Sequence, residues 1–212
     1  MKKVTIDFLR PSEAKETSAV LGRAFVTSSP NCIAVWRAQG EEEIIKQGAI
    51  FGLLKLERPK STVIVAKIDN RIVGAMNMVE WPHCQLSPLE TLKMLPRMFL
   101  ILKGAAFRGA MGRAKKMQSV WAENDPEKPH WHLGPIGVIP EMQRQGIGSQ
   151  MLKRACELID QKLGAAYLEA DMSENLPLYE RFGFSTIAKA DILGAHNWFM
   201  WRSTRETIAS DS

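Results

Sequence analysis

Cysteine is scarce in this chain, with three in 212 residues at positions 32, 84 and 156. No two of them have the spacing of a zinc knuckle or a small disulfide frame, so both are excluded and a reducing, cytoplasmic setting is expected. Long apolar runs are missing too. The greasiest stretch, Met98 to Ala106, contains Lys103 and is far too short to cross a bilayer. The opening MKK passes straight into VTIDFLR, an alternating run with Asp7, where a signal peptide would carry an apolar core. No glycine-rich turn ends in Gly-Lys-Ser/Thr, which removes a Walker A loop. Negative charge is absent from one region. Between Lys93 and Lys116 lie seven basic residues (Lys93, Arg97, Lys103, Arg108, Arg113, Lys115, Lys116) and no acidic one, so this segment accounts for the whole net charge of +5. It is a solvated helix face or faces an anionic cofactor, a nucleic acid or a membrane. Its aromatics are only Phe99 and Phe107, too few for a base-stacking surface, and both nucleic acid and membrane are set aside as partners.

What remains is ordinary globular material, 45% hydrophobic and 24% charged, sized for a single domain over 1–212. Val4, Ile6 and Phe8 alternate as a half-buried strand. Pro11 opens a helix with Ser12 as its N-cap, and TSSPNC (27–32) ends it. A second helix runs from about 41 to 56. Residues 61–81 form the clearest hairpin, two β-rich runs around Asp69-Asn70. Residues 85–123 are helical, interrupted by Pro96 and three glycines. HWHLGPIGV (130–138) is a faulted strand: Pro135 cannot donate to a ladder, and Gly134 and Gly137 weaken pairing. Met151, Leu152, Ala155, Cys156, Ile159 and Leu163 recur at helical spacing, with Gly164 as the C-cap. AAYLEA (165–170) is a short strand, Ser173 or Asn175 caps a further helix that tolerates Pro177, and two strands close the chain.

Within EMQRQGIGSQML (141–152) two glycines stand one residue apart where a helix begins. Bare N–H groups at a helix N-terminus hold an anion closely, commonly a phosphate. A Rossmann fingerprint would need a small residue where Met151 stands. Gln143-x-x-Gly146-x-Gly148, placed after a faulted strand, instead resembles the acetyl-CoA-binding motif of the GCN5-related N-acetyltransferase (GNAT) superfamily. SENLPLYERFGF (173–184) looks like that superfamily's final helix, with Tyr179 ahead of Gly183-Phe184. The resemblance covers about residues 62 to 202, and the first sixty by element order. HWHLGPIGV, NLPLYERFGF and the last strand are most similar to the puromycin N-acetyltransferase-like group.

The resemblance implies an α/β (α+β) GNAT fold. Its mixed, twisted central sheet has about seven strands, flanking helices and a splayed strand pair for the cofactor, with a helical insertion at about 85–128. It implies acetyl-CoA as cosubstrate, no metal, and transfer of acetyl to a primary amine of a small molecule by direct attack in a ternary complex. Main-chain groups of Ile136, Gly137 and Val138 would meet pantetheine and the thioester carbonyl, where a fixed N–H stabilises developing negative charge. Arg144, Gln145, Gly146, Ile147, Gly148 and Ser149 would wrap the pyrophosphate. Tyr179 matches the family's general acid for the departing thiolate. Asn175 is either a cofactor contact or a helix cap, since many relatives place that asparagine where this chain has Met172.

An alkyl amine, with an ordinary pKa of about 10, must lose a proton before attack. His132 lies 11 residues before Gln143, where the histone-acetylating branch carries its catalytic glutamate. It is a base or a pocket-lining ring, and Glu80 is its rival. His130 shares a strand face with His132, but no third ligand suggests a metal. Cys84 beside His83 reads as a packed thiol. Trp36, Trp81 and Trp198 fall near segments that build the acceptor pocket in the superfamily, and core packing is the default for each. Two further readings stand beside the enzyme of small amines: a non-catalytic acyl-CoA-binding regulatory domain and an acetyltransferase of a protein amine.

Overall fold

The computed structural model describes residues 3–26, 28–36, 41–52, 56, 58, 60–102 and 104–204. Strand β1 (Thr5–Phe8) leads into helices α1 (Ala14–Val26), α2 (Pro30–Trp36) and α3 (Glu41–Phe51). The hairpin follows as β2 (Ser61–Ile68) and β3 (Arg71–Glu80), and its turn residues Asp69 and Asn70 are both left-handed, at φ 50° and 62°. A two-residue hairpin turn of the primed type requires that geometry, and Asp and Asn tolerate it. Helices α4 (Pro88–Leu102) and α5 (Gly104–Asn124) precede β4 (Trp131–Val138) and α6 (Ile147–Gln161). The chain closes with β5 (Ala166–Ala170), α7 (Leu176–Arg181), β6 (Ser185–Ile192) and β7 (Ala195–Arg202).

Among the described residues the strands form one seven-stranded sheet in the order β1-β2-β3-β4-β5-β7-β6. Every pairing is antiparallel except β4–β5. The crossover between these two is α6, which buries Ile147, Met151, Leu152, Ala155, Cys156 and Ile159, the stripe that the sequence spacing indicated. With Tyr179 and Phe184 they pack on Ile64, Met76, Met78, Leu133 and Leu168. The other face is covered by α1 and α3, through Val20, Leu21 and Phe51 against Val63, Val65, Ile72 and Ala75. Helix α5 joins that face farther along, where Met117, Val120 and Trp121 pack around Tyr167 and Phe199.

Several local expectations change. Glu13, rather than Ser12, serves the start of α1, its carboxylate accepting the Arg10 N–H at 3.1 Å. After Pro30 the chain does not simply break but makes α2, because the Ser29 hydroxyl accepts the Cys32 N–H at 3.1 Å and caps it. Pro96 lies inside α4 without ending it. The predicted helix over 41–56 is described as α3 to Phe51, and most of 53–57 lies outside the described residues. At the end of α6 the left-handed residue is Leu163 (φ 50°), not Gly164. Gly164 is there for room, since a Cβ would stand 3.1 Å from the Trp131 ring. Neither Ser173 nor Asn175 makes a side-chain cap. Ser173–Asn175 form a 3-10 turn that feeds directly into α7.

Candidate active site

The parallel joint is short. β4 and β5 pair only at Trp131↔Ala166 and His132↔Tyr167, after which the strands part. The cause is visible in β4 itself, where Gly134-Pro135 forms a bulge opposite Asn77 and the register against β3 shifts between Met76 and Met78. Beyond the bulge the ladder resumes. The Ile139 N–H donates to Val73 at 2.9 Å, so Ile139 and Gly137 are the hydrogen-bonded positions. By alternation, Ile136 and Val138 turn their main-chain groups away from β3 and into the gap. Gly137 turns its own onto β3, and its missing side chain leaves room for α1: a Cβ would lie 2.9 Å from Phe25 and 3.1 Å from Leu21.

Directly after β4 comes the turn. Arg144 and Gly146 both adopt left-handed backbone, at φ 59° and 77°. Gly146 is the N-cap of α6 and brings no side chain to the cap. The first bond of the helix runs from the Gln150 N–H to the Gly146 carbonyl at 3.1 Å. The N–H groups of Ile147, Gly148 and Ser149 thus stand ahead of the ladder. A Cβ on Gly146 or Gly148 would meet nothing within 4 Å, so the space above these donors is open. The remaining polar groups of the turn hold its shape. Gln143 donates to the Val138 carbonyl at 3.0 Å, Gln145 to the Glu141 carbonyl at 3.2 Å, and Arg23 of α1 pairs with Glu141. Exposed Arg144 adds positive charge. Open donors, a 15-residue helix dipole and an arginine make a site that fits a pyrophosphate.

Two titratable side chains near the parting strands lie on opposite faces of the sheet. Tyr179 comes from α7, on the face covered by α6, and is buried with its ring edge-on to Phe184. Burial, with the Asp171 carboxylate nearby, pushes its phenol well above the ordinary value, which keeps the hydroxyl protonated. Among the described residues no hydrogen bond occupies that hydroxyl. Asp171, the residue after β5, accepts the Ser29 hydroxyl and the Asn31 N–H (3.1 Å), so the start of α2 sits over the strand end. A reciprocal amide pair between Asn31 and Asn197 fastens α2 to β7.

On the other face, His132 Nε2 lies 2.7 Å from Glu169 Oε2, with both side chains at or below 8% exposure. Strand alternation carries this pair: His132 opposes Tyr167 in the ladder, and Glu169 follows two residues on, on the same face. Sequence reasoning missed Glu169. Its signal was a charged residue inside an otherwise apolar five-residue strand. Glu80, the rival base, is exposed at the end of β3. Asn175 is half-buried beside α7, and the Trp36 side chain lies outside the described residues. Trp81 is 38% exposed next to a cis Pro82, and Trp198 packs on the α6 face.

Cys84 does not pair with His83. Its Sγ lies 3.7 Å from His130 Nε2, which is also 3.3 Å from Asp125 Oδ1, while His130 Nδ1 meets the Lys128 carbonyl at 2.8 Å. Burial lowers the His130 pKa, but the thiol, the carbonyl and Asp125 raise it more, and the net shift is upward. Burial raises Cys84, and the rings of His130 and His132 outweigh it and bring it below its ordinary value. Among the described residues, no group of three or more His, Cys, Asp or Glu side chains could hold a metal ion.

A family model described as Acetyltransferase (GNAT) family matches residues 28–184, most of the chain, with β4, β5, α6 and α7 inside the match. The chain belongs to the acetyltransferase (GNAT) family. Solved structures agree on the GNAT fold. A Corynebacterium glutamicum structure described as histone acetyltransferase HPA2 and related acetyltransferase superposes with a TM-score of 0.69 at 21% identity, covering 96% of this chain and 97% of that one. Arylalkylamine N-acetyltransferase 2 from Aedes aegypti gives 0.61 at 12% identity over 95% and 99%. A Brucella melitensis GNAT family acetyltransferase, solved in complex with acetyl-CoA, gives 0.51 at 18% identity over 96% and 89%. At these identities the likeness carries the GNAT fold, while substrate and chemistry rest on the residues described above.

Proposed function

We propose that this GNAT protein transfers acetyl from acetyl-CoA to a primary amine of a small molecule, by direct attack within a ternary complex. The observation that carries the reading is the buried His132–Glu169 pair at the point where β4 leaves β5, with Tyr179 buried on the opposite face of the sheet. Bound acetyl-CoA supplies an activated acetyl thioester. The N–H groups of Ile147, Gly148 and Ser149, with Arg144, hold its pyrophosphate, and Gln145 and Gly146 shape the turn. Main-chain groups of Ile136 and Val138 meet the pantetheine arm. Gly137 brings α1 against that strand, and Asn175, at the N-cap of α7, helps seat the arm. His132 takes the amine proton on Nδ1, while its Nε2–H donates to Glu169, which orients the ring and balances the imidazolium that forms. The Tyr179 hydroxyl donates to the departing thiolate. The Gly-Pro bulge and the α7 sequence support the narrower likeness to the puromycin N-acetyltransferase-like group.

The test is CoA release from acetyl-CoA across a panel of alkyl, arylalkyl and polyamines and lysine peptides. Turnover with a small primary amine is expected, with kcat/KM rising through a histidine-like pKa. His132→Gln should lose that limb. Acetyl-CoA binding without CoA release from any amine would leave the regulatory-domain reading in its place, and turnover with peptides alone would favour the protein-amine reading.

A further inference from the structure

The α4–α5 hairpin carries a surface that acetyl transfer does not use. Helix α4 turns Met94, Met98, Ile101 and Leu102 inward, onto Ile50 and onto Phe107 and Met111 of α5. Its outer face is apolar as well. Leu89, Leu92, Phe99 and Leu100 are 60%, 64%, 50% and 70% exposed, and Pro96 is exposed between them. At helical spacing these five residues fall within one stripe about 100° wide. A lone surface leucine needs no explanation, but a stripe of them on a helix already packed by its other face marks an interaction surface. The charge beside it is mainly positive, since the one acidic residue of α4, Glu90, pairs with Arg58. Lys93 and Arg97 are exposed on α4 along one flank, and no acidic residue occurs from Lys93 to Lys116.

We propose that the outer face of α4 lies on an anionic phospholipid surface, with Leu89, Leu92, Phe99 and Leu100 at the acyl boundary and the flanking cations among the headgroups. This restores the membrane as a partner, which the sequence alone had set aside. A second copy of the chain fits the face less well, because a two-fold contact would bring the same cations together. A protein groove fits less well too, because the helix already has one face packed on its own chain and offers only a shallow, convex stripe. No helix among the described residues is long and apolar enough to cross a membrane, so the contact is peripheral.

The experiment is co-sedimentation of the full chain with vesicles of phosphatidylcholine alone and of phosphatidylcholine mixed with phosphatidylglycerol, at low and high salt. Binding to the mixed vesicles alone, weakened by salt, is expected. Leu92→Glu with Leu100→Glu should lower partitioning at least tenfold while the melting temperature stays near the parent's, since both side chains are exposed. Lys93→Gln with Arg97→Gln should lower it by about thirtyfold. Failure to bind the mixed vesicles, equal binding to both vesicle types, or parental binding by the leucine variant each overturns the proposal. So does a dimer in sedimentation equilibrium that the leucine variant dissociates while vesicles remain bare, which would assign the face to a second copy.

Discussion

Gly146 needs its left-handed backbone, at φ 77°, whereas Gly148 does not, and a Cβ at either would point into open space. The two positions therefore separate backbone strain from ligand contact. Gly148→Val should leave the melting temperature near the parent's but lower acetyl-CoA affinity at least tenfold by calorimetry, because its methyls occupy the ground above the N–H donors. Gly146→Ala should instead cost about 1–2 kcal/mol of stability, read by urea denaturation. Tyr179→Phe keeps the ring against Phe184 and deletes the proton. Acetyl-CoA affinity should hold while kcat falls by about 10²–10⁴-fold, and unchanged turnover would make Tyr179 a packing residue. His130 offers a test by pH. Its folded pKa is raised above the ordinary 6.5, so the stability it contributes is full below that unfolded value and fades as pH rises through the folded one. The stability gap between the parent and His130→Gln should accordingly narrow on going from mildly acidic to mildly alkaline buffer, as followed by thermal melts.

Helix α6, the α7–β6 turn and β7 meet at one side chain. Arg202 makes a bidentate pair with Asp160 at 2.7 and 2.9 Å and donates from Nε to the Phe182 carbonyl at 2.8 Å. With both partners mostly buried, Arg202→Met takes the guanidinium fork away from the Asp160 carboxylate, and a loss of about 3–5 kcal/mol is expected in denaturant titration. Arg202→Lys should recover only part of it, because an ammonium lacks the fork. Nothing local in the sequence marks this junction. What was legible were features written within a few residues: the Asp69-Asn70 turn, the α6 stripe, the bare turn at 146–148 and the fault at Gly134-Pro135. The interactions that needed two distant segments were not. Glu169 has meaning only once β5 lies beside β4, Cys84 finds His130 only across the α4–α5 excursion, and α2 is held by Asp171 and Asn197 from the far end of the chain. Local signals also misled where a neighbour decided the matter, as when Trp131 required Gly164 for space and left the helix stop to Leu163.

At the scale of the molecule, the sheet is two halves, β1–β4 and β5–β7, whose strands pair across the boundary at only two positions. A ligand lying in the gap would bridge them. Acetyl-CoA at a hundred times its Kd should add about 2.7 kcal/mol to unfolding stability, and hydrogen exchange should slow most at Ile136 and Val138 and along β5. Protection confined to residues 144–149 would limit contact to the phosphate turn. The other brace of the boundary is α1, which reaches Gly137 so closely that even a methyl there would press on Phe25 and Leu21. Gly137→Ala should therefore overpack the site by about 1–3 kcal/mol. Phe25→Leu, by retracting the ring that the new methyl strikes, should return part of that loss although alone it weakens the contact with Phe51. In genetic terms the second change is a suppressor of the first, and a selection for restored donor binding in Gly137→Ala should recover substitutions in α1 before any in the phosphate turn.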